Sequence, residues 1–456
     1  MQAFVSAVRP KLLPESMFLE FPLYRALNGL DTLYRIDGPR HFVEWQPLGS
    51  SRWLVHEHVA EIYPSQVLIQ SLIHADDAQV KLSREEWNAR RLKRKEPEQE
   101  HAVGTIAKTT EDPAVQEGMD LASWTTFGIS AHAAHWITAH SDDDVRFALS
   151  WRQERDAALL VMGGGSNMLM HADWEGLALH VGIRGVRVLK EEDGRIEVVV
   201  GAGENWHDWV MLALKNGWHG LENLALIPGQ VGASPMQNIG AYGVELKDRF
   251  LWLEAIHVQT GSLKRFDAAS CEFGYRESIF KSSEKGQWII VRVAFILEEN
   301  APLQTAYGAI QQELKALPEE SWTHADVAKA VMQIRSTKLP DPKKLGNAGS
   351  FFKNPVLGPD EFKRLQTAHP EVAHYPQSDG TVKVAAGWLI EQAGWKGKHR
   401  GTHGVHVNQS LVLVHYGGAT GAEIWQLAQD IMHDVRSQYG VQLEPEVNQI
   451  GRNLSK

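Results

Sequence analysis

The sequence contains a single cysteine, Cys271, among 456 residues. One thiol can build neither an internal disulfide framework nor a cysteine-rich zinc or iron–sulfur site. Positive charge is also short: 46 Lys and Arg stand against 56 Asp and Glu, a net charge of −10. A dedicated nucleic-acid binder carries a basic surplus or stripe, and there is none overall. No apolar run reaches the roughly 18 residues of a membrane span. Residues 1–14 are interrupted by Arg9, Lys11 and Pro14 and lack the apolar stretch of a secretory signal. A soluble, cytoplasmic protein with no membrane or nucleic-acid partner is expected. The 21 His are scattered without HExxH or a comparable ligand spacing, so no metal site is expected. GxGxxG and Walker loops are missing as well.

What remains is a chain that is 43% hydrophobic and 22% charged, with 39 Gly and 16 Trp. Its length allows two to four domains of roughly 100–200 residues each. Composition divides it near residue 100. In the first part, Asp37-Gly38 flanked by Leu33, Tyr34, Ile36, Phe42 and Val43 reads as a hairpin. Residues 81–100 are a charge block, in which Arg90, Arg91, Lys93, Arg94 and Lys95 precede Glu96, Glu98 and Glu100. A solvated helix end and linker is the main reading of this run; a nucleic-acid contact is the other. Beyond about residue 120, strand-like runs begin at 157, 196, 251, 288 and 411. Helical periodicity begins at 206 and 423. The second helix has an apolar stripe of Ile424, Leu427, Ala428, Ile431, Met432 and Val435, and Gly440 as its stop.

Five loops carry more chemistry than a core requires. GGGSNMLM at 163–170 follows a strand, and its glycines let successive N–H groups face an anion such as a pyrophosphate; a plain connecting turn has the same composition. IPGQVGASPMQNIGAYGVEL at 227–246 is a constrained polar loop, suited to backbone contact with a ligand or to an ordered structural role. FGYRESIFK at 273–281 sets Tyr275 beside Arg276, whose fork of donors fits carboxylate or phosphate. Residues 333–355 gather Arg335, Lys338 and Lys353 around a Gly-rich turn, which suits an anionic, oxygen-rich substrate. QLEPEV at 442–447 places Glu444 and Glu446 around a proline, where solvated carboxylates are the simple alternative.

With WTTFGI at 124–129, GAGENWHDWV at 201–210 and LEPEV near the end, these motifs occur in the order seen in one family. From Trp124 to about Arg452 the chain resembles UDP-N-acetylenolpyruvoylglucosamine reductase (UDP-N-acetylmuramate dehydrogenase), an enzyme of peptidoglycan precursor synthesis. The resemblance implies an α+β, three-domain flavoenzyme of the vanillyl-alcohol-oxidase/PCMH-type FAD-binding fold, with a small α+β module ahead of it. It implies FAD as cofactor, NADPH as electron donor and ping-pong order. UDP-N-acetylglucosamine enolpyruvate would then receive hydride from flavin N5 at C3 and a proton at C2. The matching proton donor is Ser350. Arg276 and Glu446 match the groups that flank the substrate carboxylate; Glu446 is expected to be protonated or paired with Arg276. Tyr275, Tyr307, Lys338, Asn354, Tyr375 and Gln409 match substrate contacts, with Lys338 and Asn354 at the diphosphate. FAD contacts are implied at Gly164, Gly165, Ser166, Asn167, Gly229, Gly232, Ser234, Asn238, Gly240, Gly243 and Arg335. The stretch 371–397 resembles the longer form of the family, with its tyrosine loop. Ala233 stands where close relatives often have Ser. Cys271 has no redox role in this reading, and a monomer is expected.

The implied organisation is an N-terminal module at 1–80, a charged linker at 81–118, a first FAD subdomain at 119–180, a second at 181–335 completed by 440–456, and a substrate domain at 336–439. Residues 1–118 have no match. They read as a fused module, a regulatory appendage, or an upstream segment preceding a start at Met119; their aromatic and Leu content favours a module. Two other functions compete with the reductase: another flavin oxidoreductase of the same superfamily, and a non-catalytic UDP-sugar or flavin binder. Ser350, Arg276 and Glu446 together speak against mere binding, which needs no proton donor.

Overall fold

The computed structural model describes residues 112–451 throughout and, ahead of them, chiefly six strand segments between 23 and 103. Contacts divide the chain into two units: residues 1–107 with 184–191, and residues 108–183 with 192–456.

In the first unit, Leu23–Leu27, Leu33–Gly38, His41–Leu48 and Arg52–Val59 pair antiparallel in succession, and Gln79–Leu82 joins the free side of Leu23–Leu27. The expected hairpin forms. Leu33–Gly38 pairs antiparallel with His41–Leu48, and the Asp-Gly pair lies at the end of the first of these strands. Two boundaries need correction. The stretch 81–118 is not all linker: Gln79–Leu82 reaches into it, and Ala102–Val103 and Gln116–Asp120 are strands. Residues 184–191 belong to the first unit, where Val186 pairs with Val103, and not to a lobe running from 181 to 335. Backbone pairing holds these short strands, and a polar composition conceals them. The basic run at 90–95 lies outside the described residues.

The second unit has three lobes. In the first, Gln116–Asp120, His132–Ala139, Trp174–Val181 and Leu159–Met162 form one sheet in that order, antiparallel at its first pair and parallel thereafter. Leu177, Leu179 and Val181 face helix Asp142–Glu154, which buries Val145, Ala148 and Leu149 against them; Ala178 faces the other way, toward Trp136, Met162 and Met168. This is strand alternation with one helix on one face. Ser141 caps the helix in a reciprocal box with Asp144.

The second lobe is an antiparallel sheet ordered Leu263–Asp267, Phe250–His257, Trp288–Glu298, Arg195–Gly201. Helix Trp206–Lys215 buries Trp206 and Trp209, and helix His324–Lys338 follows a Thr323–Asp326 capping box. Arg292 ties the first two lobes together, meeting Asp142 at 2.5 Å and Glu254 at 2.6 Å. Burial pushes the Glu254 carboxyl up, but Arg292 and Arg265 outweigh it and leave it below its usual range.

The third lobe joins a sheet ordered Gly346–Ser350, Val412–His415, His403–Val405, His399–Arg400 to a small sheet of Val356–Leu357, Val382–Val384 and His374–Pro376. Helix Gly421–Tyr439 covers them. Thr420 and Glu423 box its start, Gly440 ends it at φ 68°, and Ile424, Leu427, Ala428, Ile431 and Val435 are buried as their spacing predicts. Phe127 and Ile129 from WTTFGI enter this core. A fully buried Phe contributes roughly 1.5–3 kcal/mol, so the motif fastens the first lobe to the third.

The chain end also differs from expectation. Val441, Leu443 and Val447 pack in the third lobe's core, and Asn448–Ile450 pairs parallel with Met168–Met170 of the first lobe. The segment therefore completes the third and first lobes, not the second, because its alternating apolar residues and free strand edge find partners there.

Cys271 is fully buried in the second lobe, and burial pushes its thiol up to about 12. At pH 8 it should stay a thiol and resist a disulfide reagent in the native protein, releasing one equivalent only after denaturation. Rapid native labelling would contradict that burial.

Candidate flavin and substrate site

Two glycine loops meet where the first lobe faces the second. Gly165 sits at φ +58°, and a Cβ there would lie 1.9 Å from the Trp124 carbonyl oxygen. A Cβ on Gly164 would lie 3.1 Å from the Gly229 Cα, and Gly229 itself sits at φ +111° against the Ser166 hydroxyl. Only glycine permits this backbone approach. The loops are tied in place. Ser166 Oγ donates to Pro228 O, Thr126 N to Gly165 O, Trp206 N to Gly229 O and Val231 N to Glu204 O. Beside this cradle, the hydroxyls of Thr125 and Thr126 and the Gln230 Oε1 are buried without a partner in the chain. Orphaned buried polar atoms need an explanation, and a bound polar ligand supplies one.

Several residues of these motifs hold the loops themselves. Asn238 is 0% exposed; its amide donates to Glu245 Oε2 and Gly274 O and accepts from Lys247 N. Ser234 donates to Val231 O, and Gly232 packs on Ala202. Asn167 donates to Gln237 Oε1 and Glu446 O, while its carbonyl receives Asn448 N. Gly240 offers its carbonyl to Arg276, and Gly243, at φ +85°, closes the hairpin turn after Tyr242. Arg335 is half-buried, donates Nε to Leu226 O at 3.1 Å and hydrogen-bonds the Tyr242 hydroxyl. Burial lowers its pKa, and Tyr242 opposes that shift.

Around the other end of the 227–246 loop stand Arg276 and Glu446, 3.8 Å apart from Nε to Oε1, with side chains 21% and 12% exposed. Burial pushes the Glu446 carboxyl up; Arg276, Lys281, Lys353 and a hydrogen bond from Gln237 pull against it without cancelling it. A carboxyl in this state tolerates an anion beside it. Ser350 reaches the same place through the backbone. Phe352 and Pro445 form a bridge, Glu446 N donates to Phe351 O and Lys353 N to Glu444 O. The ladder between Gly346–Ser350 and Val412–His415 slips between Asn347 and Ser350, with Gly349 at φ +68°. Such a bulge re-aims one side chain, and here it leaves Ser350 exposed at the strand end.

Tyr275, Tyr307 and Tyr375 are all at least 38% exposed and form a rim. Lys383 Nζ lies 4.6 Å over the Tyr275 ring and 5.9 Å over the Tyr375 ring. Tyr307 stands edge-on to Tyr242 at 5.1 Å. Asn354 accepts from Ala386 N at 3.0 Å, which caps helix Ala386–Gln392, and hydrogen-bonds Tyr275. Gln409 lies against Gly387 of that helix. Lys338, exposed at the end of helix His324–Lys338, is brought toward the Gln409 loop by Asn408 Nδ2, which donates to Thr337 O. Sequence reasoning missed Lys383, Lys281, Gln237 and the orphaned Thr125, Thr126 and Gln230. Lys281 and Gln237 sat inside quoted motifs, but the charge and amide they contribute emerge only when the motifs fold together.

Residues 133–267 match the family model of an FAD-binding domain, and residues 341–450 match that of the UDP-N-acetylenolpyruvoylglucosamine reductase C-terminal domain. The UDP-N-acetylenolpyruvoylglucosamine reductase of Pseudomonas fluorescens is 49% identical over 334 residues, covering 73% of this chain and 98% of that protein. This chain belongs to the UDP-N-acetylenolpyruvoylglucosamine reductase family. The reductase of Azoarcus is 48% identical over 337 residues, 73% of this chain and 97% of its own. The crystal structure of the reductase from Thermus caldophilus shares the fold, with a TM-score of 0.51 at 22% identity, covering 74% of this chain and 99% of that one. As a member of the reductase family the chain is an FAD-binding oxidoreductase of cell-wall precursor synthesis. No described helix is long and apolar enough to cross a membrane. The cradle fits FAD: two facing glycine loops leave backbone room, and the orphaned hydroxyls and amide oxygen beside them suit a phosphate- and ribose-rich ligand. Gly165→Ala should lower flavin content, read from visible absorbance of the purified protein, and lower the melting temperature. Left-handed backbone costs an alanine about 1–2 kcal/mol before its clash with Trp124. Undiminished flavin would show that the loop is not the cradle.

Proposed function

We propose that this chain reduces UDP-N-acetylglucosamine enolpyruvate to UDP-N-acetylmuramate, using NADPH and bound FAD. What supports it most is the convergence of Ser350, Arg276 and Glu446 through the 351–353 and 444–446 ladder. The glycine loops at 163–166 and 228–230 would hold FAD, which would supply hydride-transfer chemistry between NADPH and C3 of the enolpyruvyl group.

The chain's own residues handle charge, orientation and the proton. Arg276 offers its guanidinium to the substrate carboxylate, and the Glu446 carboxyl stands on its far side. Electron density that builds at C2 is thereby drawn toward the carboxylate and stabilised by fixed charge in a partly dry pocket. Ser350 Oγ holds the proton for C2. A serine is a weak acid, so it serves only because the C2 centre is strongly basic. Lys338 and Asn354 take the diphosphate, Gln409 supports that side, and Tyr275, Tyr307 and Tyr375 close over the sugar-nucleotide. The remaining motif residues, from Gly164 through Arg335, shape or support the flavin cradle.

The purified protein should be yellow, bleach under anaerobic NADPH and regain colour on addition of UDP-N-acetylglucosamine enolpyruvate. A reduced flavin that this substrate leaves reduced would overturn the reading. Ser350→Ala should keep flavin reduction by NADPH and slow reoxidation by substrate about 10²–10⁴-fold, the range of a lost general acid. Equal losses in both half-reactions would remove Ser350 from the proton step.

A further inference from the structure

Arg276 occupies a backbone position that arginine does not favour. Gly274 and Glu277 exchange hydrogen bonds across a tight turn, and Arg276, its second central residue, sits at φ 54°. Turn chemistry calls for Gly or Asn there. An L-residue held so is strained, and such strain persists where the surroundings over-determine it. The guanidinium is fixed from one side by the carbonyls of Gly240 and Asn238. The backbone of the turn is held separately: Lys281 Nζ donates to the Arg276 main-chain carbonyl at 3.2 Å. Lys281 is itself anchored. It ends the 3₁₀ turn Ile279–Lys281, whose Ile279 and Phe280 are buried, and Ser278 just before it is 1% exposed and donates Oγ to Met236 O at 2.6 Å.

We propose that Lys281 is a positioning residue for the Arg276–Glu446 pair: its ammonium pins Arg276 in the left-handed turn and presents a fixed positive charge to Glu446. The inference deepens the proposed reaction and rests on it for its catalytic meaning. The groups facing Glu446 are Arg276, Lys281, Lys353, the Gln237 amide and the Tyr275 hydroxyl. Those facing Lys281 are Lys353, Glu446, Glu277 and Arg276. Lys281 is thus shared between the two sides of the pair. A lysine that merely capped the turn would be replaceable by any donor; one that acts through its charge would not.

The charge has a definite sign of effect. Burial raises the Glu446 pKa and Lys281 lowers it. Removing the cation should therefore raise it further, so that Glu446 stays protonated to higher pH. The test uses the holoenzyme and follows the Glu446 carboxyl stretch by infrared difference spectroscopy, the band being assigned with Glu446→Gln. In Lys281→Met the titration should move up by about one pH unit, with flavin still bound. Reoxidation of the NADPH-reduced enzyme by substrate should slow by more than about tenfold, one decade in rate for each 1.36 kcal/mol. Lys281→Arg, which keeps the charge, should return the titration toward its original pH. If the Met variant fails to retain flavin, Lys281→Gln, a donor without charge, carries the same expectation. A Glu446 titration unmoved in the charge-free variant overturns the proposal, whatever happens to the rate. If the unmodified enzyme is not reoxidised by substrate, the proposed reaction fails, while the infrared titration still decides the role of Lys281.

Discussion

The lobes depend on one strip of chain, residues 441–450. Its apolar residues Val441, Leu443 and Val447 lie in the core of the third lobe. Its backbone bonds Phe351 and Lys353 on one side and Asn167 on another, and its last strand pairs with Met168–Met170. A segment held by three partners cannot shift without breaking buried backbone hydrogen bonds, each of which costs about 1–3 kcal/mol when left unmade. Glu446 sits in the middle of that strip. Its carboxyl is taken out of water by the assembly of the lobes, and burial is the largest influence on it. The chemistry offered by this carboxyl is therefore a consequence of how the lobes are joined, and not a local property of LEPEV.

The second constraint is backbone room. Gly165 and Gly229 bring two loops together where any side chain would collide, and Gly346 does the same at the seam of the first and third lobes, 2.1 Å from the Phe127 carbonyl oxygen for an added Cβ. Arg276 is the contrasting case, a large side chain held where glycine would be at ease. The glycines let neighbouring stretches of chain pass close together; the arginine accepts strain so that its guanidinium faces the carboxyl.

Much of this was legible in the sequence, for physical reasons. Helix Gly421–Tyr439 followed from a 3.6-residue stripe and a Gly stop, and the strand at Trp288–Glu298 from an apolar run interrupted only by Arg292 before its terminal Glu298. The motifs that carry Arg276, Ser350 and Glu446 stood out because their polar and glycine content serves no core. Three things were hidden. The partner of the 448–450 strand was invisible because a three-residue strand has no periodicity, and its mate lies some 280 residues earlier in the chain. The strands at 79–82, 102–103 and 116–120 were masked by charged neighbours. The bulge before Ser350 was announced only by Gly349, one glycine among 39.

The acidic balance of the chain also takes on a different meaning. A net charge of −10 says little about a pocket whose nearest charges are fixed by the fold. Arg276, Lys281 and Lys353 all face Glu446, and Lys383 lies over the two tyrosines at the rim. An exposed charge is screened beyond about 8–10 Å at physiological salt, so the surface acids have little say at the pocket. The partly buried cations act there with less screening, and they oppose the burial that drives Glu446 toward its neutral form. Two opposed forces on one carboxyl make its proton sensitive to any single neighbour. This is why one lysine, five residues from Arg276 in sequence, can matter to a pair it does not itself belong to.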